Sequence, residues 1–241
     1  RVNLGANLDF GTLKNPGTAA RLERKALGLS AGYGFDTLKI ASALEYLVEK
    51  TEQLDARFRR RNTWLFKNSL KYQLSEDWRI VGKFNYAVSD SSLGDFFDGD
   101  YTEAVVGYAY RPVQNDRLNA LFKYTYFYNL PSADQEAGTA TAVIQRSHIG
   151  SVDVLYDLTP RWTVGGKYAY RLGQVSLDRE DPQFFDNNAS LYVLRGDYRF
   201  GEDWEVLVEG RLLDMPDLDE RRSGALAAIS RYVGDRLKIG L

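Results

Sequence analysis

The stretch LNALFKYTYFY, from Leu118 to Tyr128, alternates between two kinds of side chain. Its even-numbered positions are all apolar or aromatic, whereas its odd-numbered positions include Asn119, Lys123 and Thr125. Successive side chains of an extended strand point to opposite faces, so this alternation gives a strand one apolar face. A helix would need apolar residues spaced by three and four positions. The stretch is therefore predicted to be a β-strand.

The same alternation recurs along the chain, for example from Trp162 to Leu172 and from Trp204 to Leu212. Most of these runs contain about ten to fifteen residues, whereas soluble sheets use strands of about five or six and a tilted membrane strand needs about nine to eleven. The length favours membrane-spanning strands. We predict thirteen of them, over residues 2–10, 22–35, 38–50, 61–75, 78–89, 101–111, 117–129, 143–158, 161–174, 188–200, 203–213, 223–233 and 236–241.

The connections between these runs alternate in length. Short turns are predicted at 35–37, 75–77, 112–116, 159–160, 201–202 and 234–235. Longer polar loops are predicted near 11–21, 51–60, 90–100, 130–142, 175–187 and 214–222. Short turns at one end and longer loops at the other are typical of outer-membrane barrels.

A weak internal repeat supports a hairpin as the building unit. Residues 72–86, 156–170 and 198–210 share a tyrosine, a tight turn and a strand that begins with tryptophan. Strand starts recur about every 40 residues, a period that also occurs in propeller blades of four short strands. Here each period holds two long strands, so the unit is a hairpin.

This pattern resembles the bacterial outer-membrane β-barrel (porin-like) superfamily over nearly the whole chain, although no individual motif carries the likeness. The resemblance implies an all-β fold, a transmembrane antiparallel up-and-down β-barrel in the bacterial outer membrane. We expect residues 1–241 to form a single such domain.

The two ends of the chain depart from a complete barrel. Chains of the superfamily typically end on an aromatic residue, whereas this one ends in a short run at Leu241. Thirteen strands would bring the first and last strands together in parallel. We therefore expect about fourteen strands in the complete protein, with the final strand or strands missing here, and twelve is the alternative. Because the chain opens on Arg1 inside a predicted strand, we also expect it to be a mature or trimmed segment of a longer precursor.

Composition excludes several function classes. The 31 basic and 33 acidic side chains nearly balance, so no overall field favours nucleic acid as a partner. The absence of cysteine excludes disulfides and cysteine-based metal or redox chemistry. No phosphate-binding loop, dinucleotide fingerprint or zinc spacing occurs, so no cofactor is expected.

The size of the barrel indicates which face meets lipid. A barrel of roughly eight strands is filled by its own side chains, and wider barrels leave an aqueous lumen. Thirteen strands with an inward apolar face would surround a large apolar hole, so the apolar face is predicted to point outward. Aromatic residues near the short turns share this register and would form an interfacial girdle. They are Tyr33, Phe35, Tyr72, Trp78, Tyr108, Tyr110, Tyr156, Trp162, Tyr198, Phe200, Trp204 and Tyr232.

The opposite register is rich in charge and is predicted to line a pore. The candidate pore-lining residues are Lys67, Lys71, Arg79, Lys83, Glu103, Lys123, Asp153, Lys167, Arg171, Arg195, Asp197, Glu205, Glu209 and Arg211. The same register is predicted for Lys39, Glu45, Glu49, Asp157, Arg199, Arg231, Arg236 and Lys238. An excess of basic groups would favour anions, since rings of charge set pore selectivity. The alternative is that opposite charges pair across neighbouring strands and stiffen the wall.

Three local clusters are candidate sites. His148 is the only histidine, but Ser147 and Ser151 fall on the opposite register, so a Ser–His pair is not expected and neither is enzymatic activity. The acidic loop 95–100 with Glu103 offers oxygen ligands for Ca²⁺, but a solvated loop tip is the favoured interpretation. The arginines within 57–61 would either contact lipopolysaccharide phosphates at the outer rim or form a plain cationic loop.

Two function classes remain. In the first, the barrel is a porin-like channel for small hydrophilic solutes. In the second, it is a non-catalytic membrane anchor or the structural barrel of a larger outer-membrane assembly. The expected partners are membrane lipid, with lipopolysaccharide as a possibility, and protein partners or flanking domains; nucleic acid is not expected.

Overall fold

The computed structural model describes residues 2–15, 20–53, 56–92, 100–129, 143–178, 181–201, 203–233 and 237–240. Strands occupy most of this part of the chain, and one short 3-10 turn covers Pro216–Leu218. Within it, no helix has the length and apolarity needed to cross a membrane. The strands are β1 Val2–Asn15, β2 Ala20–Phe35, β3 Leu38–Gln53, β4 Ala56–Gln73, β5 Trp78–Ser91, β6 Tyr101–Tyr110, β7 Leu118–Tyr128, β8 Ile144–Thr159, β9 Trp162–Ser176, β10 Phe185–Asp186, β11 Ala189–Phe200, β12 Trp204–Met215, β13 Glu220–Val233 and β14 Leu237–Gly240.

The strands form one continuous antiparallel sheet in up-and-down order. Each long strand pairs with the next long strand along the chain. The two-residue β10 pairs only with β9 and is not part of this order, so β11 is the next strand after β9. The thirteen predicted strands are therefore confirmed, with β10 as an addition. No pairing joins β1 to β14 among the described strands, so the sheet is open.

Several predicted loops are strand in the structure. The hairpin of β1 and β2 continues to the pair Asn15 and Ala20, and that of β3 and β4 continues to Gln53 and Ala56. Around 214–222 the sheet is interrupted only between Met215 and Glu220. At these strand ends, polar side chains lie on both faces, so the alternation of apolar and polar residues is lost. The hydrogen bonds between the backbones of the paired strands continue without it. The predicted loop 130–142 lies outside the described residues.

The two faces of the sheet differ in exposure. Large apolar side chains on one face are exposed, including Leu4 at 82%, Phe10 at 70% and Leu194 at 75% exposure. Most of the buried strand residues, Leu47 and Asp197 among them, lie on the other face. Crowding of side chains on one face is the signature of a sheet curled toward that face.

Glycine positions locate the curvature independently. A Cβ atom at Gly107 would lie 2.6 Å from Val81 Cγ2, and one at Gly165 would lie 2.5 Å from Leu155 Cδ2. On the opposite face, Gly150 and Gly196 have no atom within 4 Å of such a Cβ. The charged face is thus concave and the apolar face is convex.

Eleven of the twelve predicted girdle residues lie on the convex face beside the short turns. Trp78 stacks on Tyr108 with ring centroids 4.4 Å apart, and Trp162 lies 4.5 Å from Tyr198. Phe200 and Trp204 are nearly parallel across their turn, at 9°. Contacts between neighbouring strands require one shared face, which confirms the predicted register of these residues.

Two residues near the end of β13 are on the faces opposite to those predicted. Arg231 pairs with Trp204 in the ladder and lies on the convex face, with its guanidinium 5.4 Å from the indole centroid. Tyr232 lies on the concave face, where its hydroxyl donates a 2.7 Å hydrogen bond to Glu205 Oε2. The prediction was wrong because small residues on both faces of β13 leave no clear alternation.

Candidate pore lining

All fourteen predicted pore-lining residues lie on the concave face. The ladder imposes this placement, because residues directly opposite each other on paired strands share a face. One lateral row, for example, runs from Lys67 on β4 through Asn85 to Glu103 on β6. The charged side chains of successive strands therefore all lie on the same face of the sheet.

Ion pairs cross between strands on β3 to β6. The Lys67 ammonium lies 3.0 Å from Glu45 Oε1 on β3. The Lys83 ammonium lies 2.8 Å from Glu103 Oε2 on β6, and this carboxylate also accepts a 3.0 Å hydrogen bond from Asn85. These contacts link strands in addition to the backbone ladder, as the pairing alternative predicts.

A further cross-strand pair lies at the end of β3 and β4 away from the short turns. The Arg61 guanidinium is 2.6 Å from Glu49 Oε2, and both side chains are largely shielded. Arg59, one position further on the same face, is buried at 7% exposure. The arginines therefore lie in β4, and the prediction of a cationic loop is wrong for them. Residues 57 and 58 have side chains outside the described set.

Ion pairs on β11 and β12 run along a strand instead of across strands. Arg195 donates to both carboxylate oxygens of Asp197, at 2.8 and 3.1 Å. Arg211 also pairs along its strand, through Nε to Oε1 of Glu209, which lies two residues away on the same face. Such pairs neutralise charge locally without joining strands. The concave face thus combines two kinds of pairing.

Several other candidate residues have no carboxylate partner among the described residues. Lys71, Lys123 and Lys167 make no ion pair with any described residue, although Lys167 lies opposite Asp153 in the ladder. Arg79 donates a 2.8 Å hydrogen bond to the amide oxygen of Gln73. The positive charge of these side chains is therefore not neutralised by a described carboxylate on the concave face.

Arg171 has a structural contact that sequence reasoning missed. Its guanidinium donates to the backbone carbonyl of Asn187 at 3.1 Å and to the side-chain oxygen of Asn187 at 2.8 Å. Asn187 N in turn donates to Gly173 O, and Gly173 N donates to Asn188 Oδ1. We call Arg171, Gly173, Asn187 and Asn188 the loop clasp, because it fastens the β10–β11 connection to the concave side of β9. Its sequence signal, two adjacent asparagines beside a strand, is weak.

His148 lies on the convex face, on the opposite side of the sheet from Ser147 and Ser151. Its Nδ1 is 2.7 Å from the hydroxyl of Tyr124, and its ring lies 4.9 Å from that of Tyr126. The arrangement provides a cluster of aromatic rings on the convex face, and neither Ser147 nor Ser151 is brought to the histidine.

The acidic loop offers no described metal site. Residues 93–99 lie outside the described part of the chain, and Glu103 is engaged with Lys83. Asp100 accepts a hydrogen bond from the backbone amide of Ser89. Within the described ranges, no three acidic or histidine side chains gather closely enough to hold a metal ion.

Comparison with known proteins identifies the fold. The sequence matches no protein-family model and no curated protein. The siderophore receptor PirA from Pseudomonas aeruginosa superposes with a TM-score of 0.67 at 11% identity, covering 98% of this chain and 43% of the receptor. The Ferric-Catecholate import receptor Fiu from E. coli K12 gives 0.68 at 8% identity, with 99% and 54% coverage. The siderophore receptor PiuA from Acinetobacter baumannii gives 0.64 at 9% identity, with 99% and 52% coverage.

The chain thus spans about half the length of the receptors that it superposes on. At these identities the likeness concerns the path of the backbone. It shows that the antiparallel up-and-down sheet follows the same backbone path as the sheets of these receptors.

Proposed function

We propose that this chain forms the wall of a water-filled barrel in the bacterial outer membrane, through which small hydrophilic solutes diffuse. The observation that carries the proposal is the contrast between the two faces of the sheet. The convex face exposes large apolar side chains such as Leu194, whereas the concave face carries ionic groups such as Lys71 and Lys123.

The apolar convex face requires a nonaqueous surrounding. Soluble proteins rarely expose contiguous apolar patches larger than a few hundred Å². Here exposed apolar side chains continue from Leu4 on β1 to Ile229 on β13. Lipid is the surrounding that such a band fits, with the aromatic residues of the short-turn ends at the interface.

The charged concave face requires water. Uncompensated charges such as Lys71 cost much free energy in an apolar medium, and a barrel of more than about eight strands is too wide to be filled by its own side chains. An aqueous hollow satisfies both conditions. The proposal is non-catalytic, since the described residues of the concave face include no nucleophile beside a histidine base.

Conductance of the full-length protein in planar bilayers tests this proposal. The wall must be closed for this test, because an unpaired strand edge in lipid leaves backbone groups without hydrogen-bond partners. We expect stable ohmic steps. Ala169→Trp, on the concave face, should lower the step size, whereas Tyr168→Trp, on the convex face of the same strand, should leave it unchanged.

Silence from a correctly folded barrel would contradict the channel and support the anchor or a plugged lumen. Equal effects of the two tryptophan variants would show that the current does not pass along the concave face.

A further inference from the structure

Four cations gather on the concave face of β3 to β7 toward the short turns. We call Lys39, Lys71, Arg79 and Lys123 the basic belt. Three of them lie in one lateral row, in which Lys39 pairs with Lys71 and the row continues to Lys123 on β7. Arg79 occupies the next row toward the turns. The remaining concave positions of these two rows on β3 to β7 are uncharged: Gln73, Val81, Gly107, Ala109 and Leu121.

The belt differs from the rest of the concave face because its charge is not neutralised. Lys67 and Lys83, on the adjoining part of the same strands, each contact a carboxylate at 3.0 Å or less. No member of the belt forms an ion pair with a described residue. All four side chains are exposed.

Lys39 and Lys71 lie directly opposite each other in the ladder, so two like charges are neighbours on one face. Directly opposite residues of antiparallel strands have Cα atoms about 4.5–5.5 Å apart, and like charges placed there repel. A bound anion between the two ammonium groups would remove this repulsion. The geometry therefore favours an anionic ligand at this position.

The length of the belt indicates the shape of the ligand. From Lys39 on β3 to Lys123 on β7 the row crosses four strand spacings of about 4.8 Å, or about 19 Å in total. A single small anion contacts only one part of this row. An elongated solute with several anionic oxygen groups contacts all of it.

We propose that the basic belt binds elongated anionic solutes that carry several carboxylate or phosphate groups. This inference rests on the proposed function, because it assigns a substrate class to the same aqueous hollow. Guanidinium and ammonium donors suit both kinds of oxyanion. The experiment therefore compares the two chemistries directly.

Calorimetric titration of the full-length protein in non-ionic detergent tests the belt, with linear polyphosphate and polyglutamate chains of about ten units as separate probes, since such chains are long enough to extend from Lys39 to Lys123. We expect one or both to bind, and the stronger of the two identifies the preferred group. The variant Lys39→Gln/Lys71→Gln/Lys123→Gln should weaken binding about tenfold, the factor that three exposed charge contacts supply. The control Lys167→Gln/Arg195→Gln/Arg211→Gln removes the same charge elsewhere on the concave face and should change binding less than about twofold.

Lack of binding by both probes would overturn the inference, and so would an equal loss in the two triple variants, which would indicate a general field and no site. The titration does not depend on an open pore. A protein that binds the probe but carries no current would refute the channel while supporting the belt.

Discussion

Leu194→Arg is expected to destabilise the protein in a bilayer by about 2–4 kcal/mol. Leu194 is 75% exposed on the convex face of β11, six residues before the interfacial Phe200. The residues directly opposite it in the ladder are Gly166 and Gly210, so no side chain lies directly beside it to pair with an arginine. The charge would lie near the middle of the hydrocarbon layer, where its cost is greatest.

Chemical unfolding of the protein in lipid vesicles, followed by tryptophan fluorescence, measures this cost. Leu191→Arg is the matched control, because Leu191 lies on the concave face of the same strand, between Ala169 and Leu213. We expect the control to lie within about 1 kcal/mol of the wild type, as for most surface substitutions. Similar destabilisation by both variants would mean that the two faces meet the same medium.

Gly173→Val is expected to open the loop clasp and to cost about 1–3 kcal/mol, the usual cost of overpacking. A Cβ atom at this position would overlap the backbone carbonyl of Asn187, which cannot rotate away as a side chain can. The displacement would break the bond from Asn187 N to Gly173 O and the contacts of Arg171. The β10–β11 connection would then lose its anchor on β9.

Hydrogen exchange at the Asn187 amide provides the specific readout, and we expect faster exchange in Gly173→Val. Gly150→Val is the control, because a Cβ atom there meets nothing within 4 Å on the convex face. Unchanged protection at Asn187 in Gly173→Val would show that the clasp does not hold the connection.

The sequence predicted the strands and their faces because both depend on local alternation. The strand from Trp162 to Leu172 has one apolar face whatever its pairing with other strands. In the sheet this face lies beside the apolar faces of the two neighbouring strands. Strand ends were harder to predict. Around 51–60 both faces are polar, so hydropathy does not show that β3 and β4 continue. For Tyr232, aromatic character outweighed a weak alternation, and the predicted face was wrong.

The sequence predicted which residues share the charged face, but it did not predict which of them form ion pairs and hydrogen bonds with each other. Alternation alone placed Lys67 and Glu103 on the charged face. Which groups pair depends on the stagger between strands, which no local pattern contains: Lys67 reaches Glu45, 22 residues away. The isolation of Lys71 and the clasp at Asn187 depend on the same long-range register.

The central claim is that the convex face of the sheet meets lipid and the concave face meets water. Because the chain has no cysteine, single cysteines along β9 report each position without background. In lipid vesicles, we predict that a water-soluble maleimide labels positions 167, 169 and 171, and that lipid-borne quenchers act on probes at 166, 168 and 170. Labelling without this two-residue alternation, or with the opposite phase, would contradict the account.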